Sequence, residues 1–142
     1  MIDVQQFKPV LWVTFAYLVL YYAFMINVLR VKLKVAASSK ALGVKFDRYQ
    51  STDPALRAAD RVQLNTLEHM PPFLILLWLD AAMGSVMVAS LLGWTYVGLR
   101  ALYPVFLGSQ LNRNIPNRLL INTFASYLVL AALMGHIVYC NL

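Results

Sequence analysis

Pro9-Val10-Leu11-Trp12-Val13-Thr14-Phe15-Ala16-Tyr17-Leu18-Val19-Leu20-Tyr21-Tyr22-Ala23-Phe24-Met25-Ile26-Asn27-Val28-Leu29 is the stretch that decides the architecture. It holds no charge and exceeds the roughly 20 residues that cross a bilayer. It is also longer than the roughly 7–15-residue apolar core of a secretory signal. It runs directly into Arg30-Val31-Lys32-Leu33-Lys34, with no small-residue cleavage site. The stretch reads as a retained membrane helix whose basic end projects into the lipid headgroups.

Three more apolar stretches come after it. Residues 62–79 carry one charge, Glu68; residues 81–112 carry one, Arg100; residues 119–142 carry none. The whole chain of 142 residues is 61% hydrophobic and 13% charged, against roughly 45–50% and about 25% for a soluble domain. So few charges cannot cover a compact soluble ball, and disorder and low-complexity classes are excluded too. The sequence predicts an all-α integral membrane protein, one domain over 1–142. Its four transmembrane helices run up and down at about 9–29, 54–79, 84–107 and 118–140.

The net charge of +6 does not point to nucleic acid. Eight of the twelve basic residues (Arg30, Lys32, Lys34, Lys40, Lys45, Arg48, Arg57, Arg61) fall in one connection beside hydrophobic spans, the pattern of a segment held at the cytoplasmic leaflet. The third connection adds Arg113 and Arg118, and the second has no basic residue. Both termini are therefore expected outside the cytoplasm. Within the long first connection, Ser51-Thr52-Asp53-Pro54 reads as a helix start: a polar cap, then a proline whose missing N–H costs nothing there.

The polar residues within the spans carry the functional signal. Arg61, Asn65 and Glu68 stand at i, i+4 and i+7 on one helical stripe that Pro72 continues, and Tyr96, Arg100, Tyr103 and Leu107 are spaced 4, 3 and 4. Pro71 and Pro72 remove two backbone donors, so a kink is expected. Glu68 lies roughly 10 Å beyond Arg61, and Arg100 roughly 12 Å before the end of its helix. Their similar depth predicts that the two pair, since a lone charge in the bilayer costs at least about 2.5–3.5 kcal/mol. One reading makes the pair structural glue. The other makes Arg61, Asn65, Glu68, Arg100 and Tyr103 the lining of a cytoplasmic pocket, whose surplus of cations suits an anionic, water-soluble ligand.

Other candidates are weaker. His69 reads as a lipid or helix contact, and His136 and Cys140 as structural residues at the outer end of the last helix. Trp12, Trp78 and Trp94 read as interface anchors. The single cysteine excludes a disulfide within one chain, and no metal motif, phosphate loop or Ser/His/Asp arrangement is present.

Taken together, Ser51-Thr52-Asp53-Pro54, Arg61-Val62-Gln63-Leu64-Asn65-Thr66-Leu67-Glu68, Pro71-Pro72-Phe73-Leu74 and Arg100-Ala101-Leu102-Tyr103 resemble the hallmark of the MAPEG superfamily, membrane-associated proteins in eicosanoid and glutathione metabolism. The nearest likeness is to microsomal glutathione S-transferases. The resemblance implies a homotrimer with glutathione bound as co-substrate between subunits, held by Arg30, Arg61, Asn65, Glu68, Arg100 and Tyr103. It also implies an arginine after the third helix that stabilises the glutathione thiolate. Arg113 and Arg118 both stand there, and Arg118, which opens the last helix just after a proline, is favoured.

Glutathione is anionic and its thiol is mostly protonated at neutral pH, so a guanidinium at the sulfur would be needed to ionise it. The implied activity is transfer to, or peroxide reduction of, hydrophobic small molecules that arrive through the lipid of a bacterial inner membrane or an endoplasmic reticulum-type membrane. One departure stands out: leukotriene- and prostaglandin-forming members have a second tyrosine where this chain has Leu107. Two rival readings are a non-catalytic lipid-binding scaffold of the same fold and a small channel or transporter subunit that uses Glu68 and Arg100 along an ion path.

Overall fold

The computed structural model describes residues 4–49, 51–109 and 116–142. A short 3-10 turn (Val4–Phe7) leads into α1 (Lys8–Ala41), followed by α2 (Pro54–Met83), α3 (Val86–Leu107) and α4 (Asn117–Asn141). They form a four-helix bundle. Helices α2 and α3 lie at its centre, each packed against the other three, while α1 and α4 flank them.

Local sequence explains the helix starts. Pro9 occupies the first turn of α1. The Asp53 carboxylate accepts from the N–H groups of Ala55 and Leu56, each at 2.9 Å, and Pro54 comes next, as the sequence predicts. Ser85 caps α3 through the N–H of Val88, and α3 ends at Gly108, whose φ of 82° few other residues adopt. Helix α2 runs on through Pro71 and Pro72.

The first helix departs most from expectation. Its expected end is near residue 29, yet it runs to Ala41, so much of the basic connection is helical. The lysines that signal the end of the apolar span do not signal the end of the helix. Leu33, Ala36 and Ala37 between them keep the helical propensity high, and Lys is itself a good helix former.

The interior is built from Val10, Val13 and Tyr17 of α1, Phe73 and Leu77 of α2, Ala89 and Tyr96 of α3 and Leu133 of α4. Gly93 sets the spacing at its centre. A Cβ there would come within 2.7 Å of Val13 Cγ1 and 2.8 Å of Leu77 Cδ1, so glycine allows three helices to close. A second, smaller cluster (Ala58, Val62, Tyr103, Leu107, Leu119) closes the end that bears the basic connections.

The outside of the bundle is apolar, with Trp12, Phe15, Met87, Leu91, Val105 and Leu128 all exposed. Helices α1, α3 and α4 are long and apolar enough to cross a membrane. Hydroxyls within the helices are satisfied locally: Thr14, Thr66, Thr123 and Ser126 each donate to the carbonyl four residues back. No water is available to them in hydrocarbon. The chain is an integral, multi-pass membrane protein.

Candidate functional site

Near the basic end, α2, α3 and α4 line a cleft of about 600 Å³. Arg57, Asp60, Arg61, Leu64 and Asn65 of α2 line one wall, Tyr103 and Leu107 of α3 the second, and Leu119, Leu120, Thr123 and Tyr127 of α4 the third. The volume lies within the roughly 300–1,000 Å³ of small-molecule sites. Asp60 is tied to Arg48 of the preceding connection at 3.1 Å, so Arg57 and Arg61 stand in the cleft without that carboxylate to themselves.

Behind this wall lies Arg100, wholly buried. Its Nη1 donates to Asn65 Oδ1 at 2.5 Å and its Nη2 to the Tyr96 hydroxyl at 3.0 Å. The guanidinium carbon is 5.1 Å from the centre of the Tyr96 ring and 6.0 Å from that of Tyr103, close enough for cation–π attraction. Its Nε has no partner among the described residues. The Tyr96 ring in turn stacks on Phe73 at 4.2 Å and on Tyr17, whose hydroxyl donates to the Thr66 carbonyl. Arg100 is thus aimed by a wall of aromatic rings, and it fixes the Asn65 amide with Oδ1 inward, leaving Nδ2 as a donor.

The expected pair of Glu68 and Arg100 does not form within the chain. Arg100 turns inward to Asn65, while Glu68 is exposed, with no ion pair or hydrogen bond among the described residues. Helix geometry gives the reason. Glu68 falls almost directly above Arg61, and both lie on the outward stripe with Leu64, Pro71 and Ile75; Asn65 is rotated about 40° from that stripe into the bundle.

The remaining predicted residues are scattered. Arg30 is exposed on α1, which contributes nothing to the cleft wall. Arg118 is exposed in the first turn of α4, beside the cleft residues Leu119 and Leu120. Arg113 lies outside the described residues. The cleft therefore unites Arg61, Asn65 and Tyr103, with Arg100 behind it.

Several polar residues carry no clear signal in the sequence. Asn122 of α4 is buried with both amide atoms unpartnered among the described residues. His69 is buried with its ring 5.2 Å from that of Tyr127, a helix contact, one of the two roles expected. At the opposite end of the bundle, Asp80 is wholly buried and its Oδ1 lies 2.6 Å from His136 Nδ1. The Nε2 of the same ring lies 3.6 Å from Cys140 Sγ. The sequence assigns His136 and Cys140 structural roles and places Asp80 in a connection. The signal that points to their contact is position: a carboxylate in the last turns of one helix faces the last turns of a parallel neighbour.

Compared with known protein families, residues 10–139 match the MAPEG family. No curated protein matches the chain at a significant level.

Proposed function

The chain belongs to the MAPEG family, and from that premise we propose that it is a membrane-bound glutathione transferase or peroxidase acting on lipophilic electrophiles or hydroperoxides. The observation that carries this reading is the convergence of Arg61, Asn65 and Tyr103 on one cleft, with the buried Arg100 guanidinium holding the Asn65 amide from behind. Arg57 and Arg61 supply charge for the carboxylates of a tripeptide, Asn65 Nδ2 a donor for a peptide carbonyl, and Tyr103 and Tyr127 a hydroxyl-bearing wall. Arg118, at the N-terminal turn of α4, stabilises the thiolate with help from the free N–H groups of that turn. The thiolate then attacks an apolar substrate delivered by the lipid.

The outward stripe of α2 supports assembly as a homotrimer. An exposed Glu68 midway along a membrane helix would meet lipid at a cost of at least about 2.5–3.5 kcal/mol, and a neighbouring subunit removes that cost. In this arrangement Glu68 and Arg30 reach the site from faces that are outward in the single chain. Both termini lie on the non-cytoplasmic side, opposite the basic connections.

The test is glutathione binding by the detergent-purified protein, with thiolate absorbance in the ultraviolet and turnover of a generic electrophile. Arg118→Ala is expected to abolish the thiolate signal and leave most of the binding, and Arg113→Ala to weaken affinity only. A reversed pattern moves the role to Arg113. Leu107, in the cleft where eicosanoid-forming relatives have a tyrosine, favours a second reading, a non-catalytic lipid-binding scaffold. Absence of any thiolate signal or turnover in the parent protein would establish it over the enzyme.

A further inference from the structure

At the end of the bundle away from the cleft, Cys140, His136 and Asp80 are aligned as thiol, base and carboxylate. Asp80 lies about 22 Å along α2 from Asn65, so the two sites are separate. An ionised carboxylate at the 2.6 Å contact accepts from His136 Nδ1–H, and in a neutral ring that tautomer leaves the Nε2 lone pair facing Cys140 Sγ. The base sits on the same helical face as the thiol, one turn earlier, and the carboxylate comes from another helix.

Two contacts lock the arrangement. Asn141 Nδ2 donates to the Met83 carbonyl at 3.3 Å, tying the last turn of α4 to the end of α2. Gly84 caps the cluster: a Cβ there would fall 2.5 Å from Asp80 Oδ1 and 3.1 Å from His136 Nδ1, so only glycine lets the chain pass over the pair. Asp80 is fully buried and its Oδ2 has no partner among the described residues, which keeps the carboxylate committed to the imidazole. Cys140, by contrast, is exposed in the last turn of an apolar, membrane-length helix, with the exposed Tyr139 as its neighbour in the chain.

We propose that Cys140, His136 and Asp80 form a base-assisted thiol site that adds covalently to lipophilic α,β-unsaturated carbonyl compounds. His136 Nε2 takes the Sγ proton, and sulfur forms a C–S bond at the β-carbon of the electrophile. The π pair of the C=C bond moves to the α-carbon, which receives the proton back from His136. Nothing leaves, and no oxidant or reductant is consumed. Cys140 is the only cysteine of the chain, so a disulfide within it is ruled out as a competing fate. Asp80 is a positioning residue that sets the tautomer and orientation of the ring.

The experiment measures addition of trans-2-nonenal to the detergent-purified full chain by intact mass, at pH 7 and pH 9.5. At pH 7, His136→Gln is expected to slow adduct formation about tenfold or more, Asp80→Asn and Gly84→Ala by about three- to tenfold, and Cys140→Ser to take no adduct. At pH 9.5, hydroxide replaces the ring as the base that takes the Sγ proton, and parent and His136→Gln should agree within about threefold. That convergence separates a base from a residue that merely holds the helix end open. Equal rates at pH 7, or the same ratio at both pH values, would overturn the proposal. Should Asp80→Asn fail to fold, His136→Gln and Gly84→Ala decide it.

Discussion

Arg100 and Asp80 are both wholly buried charged side chains, and they are satisfied in opposite ways. Arg100 is held by neutral groups, an amide oxygen and a phenol, and by the faces of two tyrosine rings. Asp80 is held by a titratable ring that is itself partly exposed. The first arrangement has a fixed charge and fixed donors, so it behaves as scaffold and orients the cleft wall. The second has a partner that can gain or lose a proton, and so can do chemistry. Burial alone does not distinguish a structural charge from a reactive one; the partner does.

The largest way to break this contrast is Arg100→Ala. It strands Asn65 Oδ1 and the Tyr96 hydroxyl and leaves a void between aromatic rings, so a loss of roughly 3–5 kcal/mol is expected in reversible denaturation from detergent. A loss below about 1 kcal/mol would mean that Arg100 is not the anchor described. Next comes Asp80→Asn, expected to cost about 1.5–3 kcal/mol by removing a charge-assisted bond. In a double-mutant cycle with His136→Gln the coupling should exceed about 0.5 kcal/mol, and strict additivity would dissolve the pair.

Tyr96→Phe sharpens the comparison, since it removes one neutral partner of Arg100 and keeps the ring. About 1–2 kcal/mol is expected, and a cost as large as that of Arg100→Ala would show that the phenol dominates the anchor. Smallest is Arg48→Ala. Its pair with Asp60 is about one-third exposed, and the loss should fall between about 0 and 1 kcal/mol. Thermal melts of all four variants should keep that order.

The sequence is most informative where the physics is local. Hydropathy points to four helices, of which α1, α3 and α4 are apolar enough over their length to cross a membrane. Asp53 and Pro54 mark the start of α2, because a cap needs only its own neighbours. Arg100 and Asn65 both stand out, yet depth and opposite charge match Arg100 with Glu68. Neither criterion carries the few tens of degrees of helical rotation that separate an inward residue from an outward one. Charge matching also treats every partner as belonging to the same chain, and in the single chain Glu68 lies exposed on the outward stripe of α2, away from Arg100. The contact between Asp80 and His136 spans 56 residues and depends on where two helix ends stop. Those boundaries are the part of a helix that composition determines least.

The length of α1 has a consequence for how the bundle meets membranes of different thickness. Its 34 residues span about 51 Å, far more than a hydrocarbon core of about 30 Å, while the 22 residues of α3 span about 33 Å. When the bilayer swells, the turns of α1 beyond Leu29 cannot follow, because they carry Arg30, Lys32 and Lys34, which stay among the headgroups, and α3 has almost no turns to spare. Hydrophobic mismatch will therefore be felt at the ends of α3, at Ser85 and Gly108, and at Leu29 of α1. The 21 uncharged residues of α1 and the 22 residues of α3, not the full length of the longest helix, set the range of lipids in which the fold is at ease.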